Sequence, residues 1–392
     1  MRRPPDVVLD VTRLLGRLIT RRLPTGVDRV GQAYIEHYGA RANALLRLGR
    51  QSWIFSPSSS RRLFDLLLRF SSDHAARARR LVLYGAAASI GRAHGSGRLL
   101  LHTCHSGLHN DSNELAVRRH RLRPVFMVHD LIPVLHPEFC VPGESARHRK
   151  RMHRMLSSCR GLIANSHATL SDMWAFADAS ALQRVPSVVA HLAPAASTQA
   201  EHGPAPRIHD NYFLAVGTVE PRKNHLVLLH AWRRLAVTMG PDTPHLVIVG
   251  QRGWESEGVD DLLERSRVLQ GHVTVLPRCT DARLAQLLQG ARALLFPSFA
   301  EGYGLPVVEA LGAGVPVIAS DLSAVREAVG SVPDYLDPLD TLGWVARITD
   351  YALPDSVHRR AQLERLRGFE TPTWGAHFER VDAFLAEIDG AA

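Results

Sequence analysis

The stretch "ALLFPSFAEGYGLPVVEALGAGVPVIASD", residues 293–321, contains an apolar run, a glycine-rich turn, a short helical pattern and a second apolar run in direct succession. Pro306 stands near the first turn of the helical pattern, and Gly312 or Gly314 stands at its end, as is usual for helix termini. A strand, a helix and a second strand in this order form a β-α-β unit with parallel strands. The stretch therefore predicts a parallel sheet covered by helices.

The same alternation continues along the chain of 392 residues. Other apolar runs, each bounded by polar or glycine residues, are predicted strands: VVLDV (7–11), LVLY (81–84), LLLHT (99–103), VFMVHD (125–130), LIANS (162–166), YFLAVG (212–217), LVIVG (246–250) and VTVLP (273–277). A polar segment with two prolines, 197–211, separates two such series. The sequence thus predicts two Rossmann-like α/β domains, 1–200 and 201–372, joined by a linker.

Composition indicates a globular chain, with 45% hydrophobic and 22% charged residues. Charge is divided unevenly, because residues 1–200 contain 29 basic and 13 acidic side chains, whereas the remainder contains 18 and 25. The basic half fits an anionic membrane surface, a phosphorylated substrate or an arginine-rich solvated face. No nucleic-acid-binding motif accompanies it, so nucleic acid is not an expected partner. Four scattered cysteines and the absence of an apolar run of membrane-spanning length favour a cytoplasmic location.

The turn between residues 297 and 305 is expected at the carboxyl end of a strand, where parallel α/β sheets bind ligands. Gly302–Leu305 would start a helix there, and the free N–H groups of a helix start favour a phosphate or another anion. Glu309, inside that helix, suits hydrogen bonds from ribose hydroxyls, although it could instead complement the helix dipole. Glu301, in the turn, could equally be a surface charge.

A second cluster, "FLAVGTVEPRKNHLVLLHAW" at 213–232, places Glu220, Arg222 and Lys223 in a loop between a predicted strand and a helical pattern. Two adjacent cations at a strand end suit a diphosphate, since arginine offers a planar fork and lysine a compact charge. A solvated basic loop is the alternative. Lys223 is the only lysine of the second half, which favours a specific role.

These two motifs resemble those of the nucleotide-sugar glycosyltransferases of the GT-B fold, in the large retaining family four. "EGYGLPVVE" (301–309) is similar to that family's paired-glutamate signature, and "GTVEPRKN" (217–224) to its phosphate-binding loop. Weaker similarity in the first half lies at 23–30, 129–139 and 164–173. The resemblance implies an α/β GT-B architecture, with two Rossmann-like domains whose parallel sheets face across a cleft. It also implies that a C-terminal helix, 373–392, returns to the first domain.

The resemblance also implies roles for individual residues. Arg222 and Lys223 would bind the diphosphate and stabilise the leaving group, and Glu301 would contact the transferred sugar. His129 would approach that sugar from the first domain. The donor would be bound by Gly217, Thr218, Arg222, Lys223, Gly302, Tyr303, Gly304, Leu305 and Glu309, and Thr25 and Gly26 would border the phosphates or the acceptor. Many members have two glycines at that last turn, whereas "PTGVDRV" (24–30) has one, with Arg29 as the nearest cation.

The activity implied by the resemblance is retaining transfer of a hexose, best interpreted as mannose from GDP-mannose, to a glycan or lipid-linked glycan during cell-surface polysaccharide assembly. No cofactor and no metal is expected, since the chain lacks an Asp-x-Asp triplet. An epimerase or phosphorylase on the same fold, and a non-catalytic nucleotide-sugar-binding scaffold, remain open. A dehydrogenase is disfavoured because no G-x-G-x-x-G follows the first strand.

Two further segments carry alternatives. "HTCHSGLHN" (102–110) contains three histidines and a cysteine, but its spacing matches no familiar zinc site, so no metal site is expected there. "RRLFDLLLRF" (61–70) is basic, apolar and helical in pattern. It could lie on an anionic membrane, making the protein peripheral on the inner face, or pack in the core with a solvated arginine edge.

Overall fold

The computed structural model describes residues 6–22, 24–69, 74–88, 97–194 and 211–390. The predicted linker, 197–211, and the predicted boundary at residue 200 lie outside these residues, apart from Asn211. The chain divides into two compact units. Unit 1 comprises Met1–Val134, Gly143–Leu192 and Trp374–Ala392, and unit 2 comprises Leu135–Pro142 and Ala193–Thr373. Each unit is described by itself below.

The strands are β1 Val7–Asp10, β2 Ala42–Leu48, β3 Gln51–Ile54, β4 Leu99–His102, β5 Arg123–Val128, β6 Gly161–Ala164, β7 Ser187–Val189, β8 Tyr212–Val216, β9 His245–Val249, β10 Val273–Leu276, β11 Leu294–Phe296, β12 Val317–Ser320 and β13 Asp334–Leu336. The helices are α1 Thr12–Ile19, α2 Gly26–Tyr38, α3 Pro57–Leu68, α4 His74–Ala88, α5 Ser112–His120, α6 Ile132–Leu135, α7 Glu144–Ser158, α8 His167–Ala179, α9 His225–Met239, α10 Glu257–Arg265, α11 Asp281–Gly290, α12 Leu305–Gly312, α13 Ser323–Val329, α14 Thr341–Ala352, α15 Val357–Arg367 and α16 Trp374–Gly390.

Unit 1 is built on a sheet with the strand order β3-β2-β1-β4-β5-β6-β7. Its neighbouring strands are parallel except for the β2–β3 pair, which is an antiparallel hairpin. Gly49 permits the hairpin turn because its φ is +56°, a left-handed conformation that favours glycine. Strands β1 and β4 are buried along their whole length, which explains why they are continuous apolar runs in the sequence.

Unit 2 is built on a six-stranded parallel sheet with the order β10-β9-β8-β11-β12-β13. Its core packs α9 and α14 on the sheet through Trp232, Trp344 and Tyr351, all fully buried. The indole of Trp232 donates a hydrogen bond to the Pro244 carbonyl at 2.8 Å, so its polar atom is satisfied within the core. The central strands β8 and β11 are neighbours, and the segments that follow them begin at the same edge of the sheet.

The predicted strands of the second half are confirmed as β8 to β12, and those at 7–11, 99–103, 125–130 and 162–166 as β1, β4, β5 and β6. The predicted strand at 81–84 is wrong, because this run is part of helix α4. Its alanine- and arginine-rich surroundings favour a helix. Within the run, Leu83 and Tyr84 are exposed, so the four apolar residues do not form a buried strand.

The C-terminal helix α16 belongs to unit 1, although it follows unit 2 in the sequence. It packs on α2 through an aromatic cluster in which the Tyr34 hydroxyl and the His377 ring nitrogen are 3.1 Å apart. The Tyr38 hydroxyl donates to the Asp382 carboxylate at 2.7 Å. These buried contacts fix the helix on the first unit.

Helix α3 contains most of the basic and apolar segment 61–70. It buries Leu63, Phe64, Leu66 and Leu67, so it packs into the core of unit 1 with its arginines outside. Of the two alternatives for this segment, the core helix is therefore the one observed in the described residues up to 69. In the part of the chain that the structure describes, no helix combines the length and the apolar character needed to cross a bilayer.

Candidate functional site

The two predicted donor motifs follow the neighbouring central strands of unit 2. After β8, a short 3₁₀ turn at Pro221–Lys223 carries the two cations, and α9 begins at His225. After β11, the loop 297–304 carries Glu301 and leads into α12. Because both loops start at the carboxyl edge of the sheet, the fold brings the motifs together as the sequence predicts.

The carboxylate of Glu301 lies between the two cations. Its Oε1 is 2.5 Å from Lys223 Nζ, and its Oε2 is 2.8 Å from Arg222 Nη1. Arg222 also pairs with Glu220 at 2.8 Å and donates to the Ala300 carbonyl at 2.8 Å. The side chains of Glu301, Lys223 and Arg222 are 10%, 11% and 19% exposed, so the three charges meet in a largely desolvated place.

The pKa values follow from this geometry. Burial alone would raise the pKa of the Glu301 carboxyl, but the charges of Arg222 and Lys223 outweigh it and lower that pKa to about 2. Burial and the neighbouring Arg222 lower the pKa of Lys223, and the contact with Glu301 opposes that shift. The site therefore holds an ionised carboxylate whose charge is matched by cations on both sides.

Gly217 allows Lys223 to reach this position. Its φ of +151° lies in a region that other residues rarely adopt, and a Cβ there would stand 3.1 Å from Lys223 Cε. A Cβ on Gly250, after β9, would fall 1.8 Å from the Gly217 carbonyl oxygen, and one on Gly253 would meet the Thr218 methyl at 2.7 Å. The glycines thus let the loops after β8 and β9 pack directly on each other beneath the lysine.

The glycine-proline turn forms the start of α12 as predicted. Gly304 precedes the helix with a φ of +93°, and Pro306 occupies its first turn. Tyr303 and Gly304 are buried, whereas Gly302 and Leu305 are half-buried. Glu309 is half-buried in the second turn of α12. Helix α12 has eight residues, and its N-terminus adjoins the loop that carries Glu301. The positive end of the helix dipole therefore points at that loop.

Sequence reasoning missed an aromatic contact that supports this loop. The rings of Phe139 and Phe299 stack with centroids 5.2 Å apart, and the Trp254 indole donates to the Phe139 carbonyl at 3.1 Å. Phe139 belongs to Leu135–Pro142, a segment from the first half of the chain that forms part of unit 2. No local signal assigns eight residues to another unit, because the pairing depends on contacts distant in sequence.

In unit 1, His129 follows β5 and is 7% exposed. Its Nε2 is 2.8 Å from the Thr103 carbonyl and must donate to it, and its backbone amide donates to His105 Nε2 at 3.2 Å. Asn165 Nδ2 donates a hydrogen bond to the His129 carbonyl at 2.9 Å. Burial lowers the pKa of His129, so the ring is neutral at physiological pH and fixed in one tautomer.

Thr25 and Gly26 lie exposed at the start of α2. The Thr25 hydroxyl donates to Asp28 Oδ2 at 2.7 Å within a capping box. Asp28 also pairs with Arg13 at 2.7 Å and with Arg17 at 2.8 Å. The cations that contact this turn therefore come from α1 as well, in addition to the Arg29 noted in the sequence.

The histidine-rich segment 102–110 does not gather into a metal site. Within the described residues, no cluster of three or more histidine, cysteine or acidic side chains has the arrangement of a metal centre. Instead His102 Nε2 accepts from Arg47 Nη2 at 2.9 Å, and Arg47 Nε donates to Asp10 at 2.6 Å. All three side chains are almost completely buried, so this group is part of the core of unit 1.

Stability is expected to fall with acidification because of His102. Burial lowers its pKa to about 4 in the folded protein, whereas the unfolded chain has a histidine pKa near 6.5. The stabilising effect of the neutral ring is therefore complete above about pH 6.5 and is lost as the pH falls towards 4. At pH 5 the loss is about 2 kcal/mol. The measurement is urea unfolding at pH 7 and pH 5.

The control for this prediction compares two histidines. His102→Gln should reduce the difference in unfolding free energy between pH 7 and pH 5, whereas His153→Gln, at an exposed position of α7, should leave it unchanged. An equal pH dependence in wild type and His102→Gln would contradict the prediction.

Part of the chain that contains this site is similar to a known protein family. Residues 200–332 match the family described as Glycosyl transferases group 1, and this range contains Arg222, Lys223, Glu301 and Glu309. The second half of the chain therefore contains a region similar to glycosyltransferase group 1 domains. That region includes both loops that form the Glu301 cluster.

Curated relatives of the glycosyltransferase group 1 domain include three bacterial enzymes. The chain is 36% identical over 163 residues to O-antigen chain mannosyltransferase B of Escherichia coli, which is 42% of this chain and 42% of that protein. It is 30% identical over 217 residues to the serotype-specific mannosyltransferase WbdA of Escherichia coli, 52% of this chain and 26% of that protein. O-antigen chain mannosyltransferase RfbU of Salmonella typhimurium is 32% identical over 151 residues, 38% of this chain and 41% of that protein. The chain thus spans less than half the length of these relatives.

Two solved structures match this chain over 99% of its length. Anabaena Alr3699/HepE in complex with UDP and glucose superposes with a TM-score of 0.63 at 17% identity, covering 99% of this chain and 98% of that one. The α,α-trehalose-phosphate synthase of Burkholderia vietnamiensis gives 0.62 at 11% identity and 99% coverage of both. At such low identity the likeness concerns the fold, which is GT-B, and the predicted fold class is confirmed.

Proposed function

We propose that the protein is a glycosyltransferase that moves a hexose from a nucleotide-sugar to a glycan acceptor. The observation that carries the proposal is the Glu301 carboxylate held between Arg222 and Lys223, where two neighbouring parallel strands end. The motif order of the glycosyltransferase group 1 domain and the mannosyltransferase names of its relatives support it.

Binding of the donor diphosphate would rearrange the ion pairs. Glu301 and Glu220 together offset the charges of Arg222 and Lys223. A diphosphate adds further negative charge, so the two cations would be shared between the phosphates and Glu301. The N-terminus of α12 supplies partial positive charge without a mobile ion. This arrangement lets the chain's own residues provide the charge that a metal provides elsewhere, and we propose that no metal is required.

The pKa of Glu301 bears on its role. A carboxyl whose pKa is lowered to about 2 is stabilised as an anion by its cations and is correspondingly weak as a base and as a nucleophile. Glu301 is therefore better suited to accept hydrogen bonds from the hydroxyls of the transferred sugar and to orient the cations. This supports transfer without a covalent intermediate on Glu301.

The proposed reaction breaks the bond between the anomeric carbon and the diphosphate oxygen. Negative charge grows on that oxygen, and Arg222 and Lys223 would stabilise it; one such donor is worth about 3 to 4 kcal/mol in the transition state. The acceptor oxygen would attack the anomeric carbon on the face from which the diphosphate leaves. It would give its proton to the departing phosphate. The new bond would then retain the anomeric configuration.

The remaining predicted contacts complete the proposal. Glu309 would accept hydrogen bonds from the ribose hydroxyls, and the turn of Gly302 to Leu305 would border the sugar. His129 would accept a hydrogen bond from a sugar hydroxyl at Nδ1, because the single N–H of its neutral ring is donated to the Thr103 carbonyl. Thr25 and Gly26, beside Arg13, would border the phosphates or the acceptor.

Mannose from GDP-mannose is the proposed donor sugar, because the relatives cited above are named mannosyltransferases. The proposed acceptor is a growing glycan of the cell surface, free or lipid-linked. The test is incubation of the full chain with GDP-mannose, UDP-glucose and UDP-N-acetylglucosamine, each with a panel of mannosides and with EDTA. The expected result is an α-mannoside formed from GDP-mannose in the presence of EDTA.

Other outcomes would assign another function. Sugar isomerisation without an acceptor would indicate an epimerase, and phosphate-dependent cleavage a phosphorylase on the same fold. Nucleotide-sugar binding without any turnover would indicate a scaffold. An inverted product, or transfer that EDTA abolishes, would contradict the proposed mechanism.

We also propose that α4 contacts an anionic membrane surface, which would place the enzyme at the inner face of the membrane. Arg77, Arg79 and Arg80 are exposed on it, and the helix contains no acidic residue. Leu83 and Tyr84, one turn further on, are 71% and 76% exposed. Basic side chains beside exposed apolar ones fit lipid headgroups over the acyl boundary, where each cation contributes about 1 kcal/mol.

Co-sedimentation with vesicles tests this surface. Wild type is expected to sediment with vesicles that contain phosphatidylglycerol and to stay in solution with phosphatidylcholine alone. The double substitution Leu83→Ser and Tyr84→Ser should weaken binding at least about tenfold. Val237→Ser, at a similarly exposed position of α9, is the matched control. Equal sedimentation of both variants would contradict the proposal.

A further inference from the structure

Asn224 occupies the junction between the cation-bearing turn and α9. Its φ of +53° and ψ of +40° are left-handed, a conformation that asparagine adopts more readily than most residues. The chain therefore turns sharply between Lys223 and His225 instead of continuing one helix. This turn separates the cations from α9 and directs them towards the loop after β11.

The side chain of Asn224 adds a second function to this backbone conformation. Its Nδ2 donates to the Pro297 carbonyl at 3.2 Å and to the Pro338 carbonyl at 2.8 Å. Pro297 follows β11, and Pro338 follows β13. One amide group thus joins the segments after β8, β11 and β13. Asn224 is 7% exposed; its bond to Pro297 is buried and its bond to Pro338 is partly buried.

The hydrogen bonds of Asn224 help to hold the cations at a fixed distance from Glu301. Besides the Asn224 bonds, the loop after β11 is tied to the cation turn by the Phe299 amide, which donates to the Arg222 carbonyl at 2.9 Å. Arg222 returns a bond to the Ala300 carbonyl at 2.8 Å. Three attachments over four residues fix where Glu301 stands relative to Arg222 and Lys223. Of the two side chains that make these attachments, Arg222 is charged and Asn224 is neutral.

We propose that Asn224 is a positioning residue for sugar transfer, which sets the register between the cation turn and the Glu301 loop. The inference rests on the proposed function, since it concerns the same site. A displacement of about 1 Å at a reacting centre can cost about 10²-fold in rate. Loss of the two bonds is therefore expected to reduce kcat more than it reduces donor binding.

The decisive variant is Asn224→Gly. Glycine keeps the left-handed backbone without strain and removes only the side chain. The expected result is a kcat lowered about 10- to 100-fold, a KM for the donor changed less than about threefold, and an unchanged melting temperature within a few degrees. Asn224→Asp, which has the same shape but presents oxygens to both carbonyls, should lower kcat at least as much.

The matched control is Asn211→Gly. Asn211, at the amino end of β8, donates a hydrogen bond to the Ala352 carbonyl at 3.3 Å. It braces the same unit at the opposite edge of the sheet, so its loss should leave kcat unchanged. Wild-type kcat in Asn224→Gly, or a rise in KM and a fall in melting temperature that match the fall in kcat, would overturn the proposal.

Amide hydrogen exchange tests the role of Asn224 without an activity measurement. In Asn224→Gly, the amides of Phe299 and Asp340 should exchange at least about tenfold faster, while those of β8 and β9 stay protected. Unchanged exchange at both amides would overturn the proposal. If wild type binds no nucleoside diphosphate, the proposed function fails, and the exchange data alone decide the role of Asn224.

Discussion

Replacement of Lys223 by methionine is expected to lower the rate of sugar transfer by about 10³-fold. Methionine keeps an unbranched side chain that can pass over Gly217 and lie against Phe296, whose ring centroid is 5.0 Å from the ammonium. The substitution therefore removes mainly the charge. Without it, the leaving diphosphate loses the compact cation next to Glu301, and Arg222 alone remains.

The chain offers an unusually close control for this prediction, because it contains only one other lysine, Lys150. Lys150 is exposed on α7 in unit 1. Lys150→Met should retain the wild-type rate. The readouts are kcat/KM with the natural donor and the dissociation constant of its nucleoside diphosphate, which should rise in Lys223→Met alone. Equal kcat/KM in the two variants would contradict the assigned role of Lys223.

Replacement of Glu301 by glutamine is expected to separate binding from chemistry. The change removes the anion that now offsets Arg222 and Lys223, so a diphosphate should bind as tightly as to wild type or more tightly. The transfer rate should nevertheless fall by about 10²-fold, because the amide no longer accepts strong hydrogen bonds from the sugar or orients the cations. Isothermal titration and initial-rate kinetics measure the two effects.

The control for Glu301→Gln is Glu364→Gln, which removes an exposed partner of Arg367 in the same unit. Surface pairs of this kind contribute about 0 to 1 kcal/mol, so binding and rate should not change. Weaker diphosphate binding in Glu301→Gln would mean that the carboxylate serves chiefly to hold the loops together.

The pH dependence of activity is also constrained by Glu301. Because Arg222 and Lys223 lower the pKa of its carboxyl to about 2, Glu301 stays ionised between pH 4 and pH 7 and should cause no loss of activity over that range.

The central part of unit 2 was predictable because its signals are local. The stretch 293–321 contains two buried strands, a helix start with Pro306 and a left-handed Gly304, and each of these is recognisable from its residue type. The cations could be placed at the same edge because carboxyl ends of parallel strands coincide. That Glu301 bridges both cations was not predictable, since it depends on side-chain positions across two loops.

The errors and omissions also have physical reasons. Residues 81–84 are apolar over a single helical turn, which is too short to distinguish a strand from a helix by periodicity. Strands β7 and β13 have three residues each and are partly polar, so their pairing with neighbours stabilises them more than their own sequence does. The role of Asn224 became visible only when the carbonyls of Pro297 and Pro338 were located.

The central claim is that Arg222, Lys223 and Glu301 form the binding site for the diphosphate of a nucleotide-sugar. The most direct test is the thermal stability of the purified full chain with GDP, UDP, ADP, TDP and CDP in the presence of EDTA. A ligand at about 100 times its dissociation constant adds about 2.7 kcal/mol of stability. We predict that at least one nucleoside diphosphate stabilises wild type and Lys150→Met but not Lys223→Met. Stabilisation of none, or of all three proteins equally, would contradict the account.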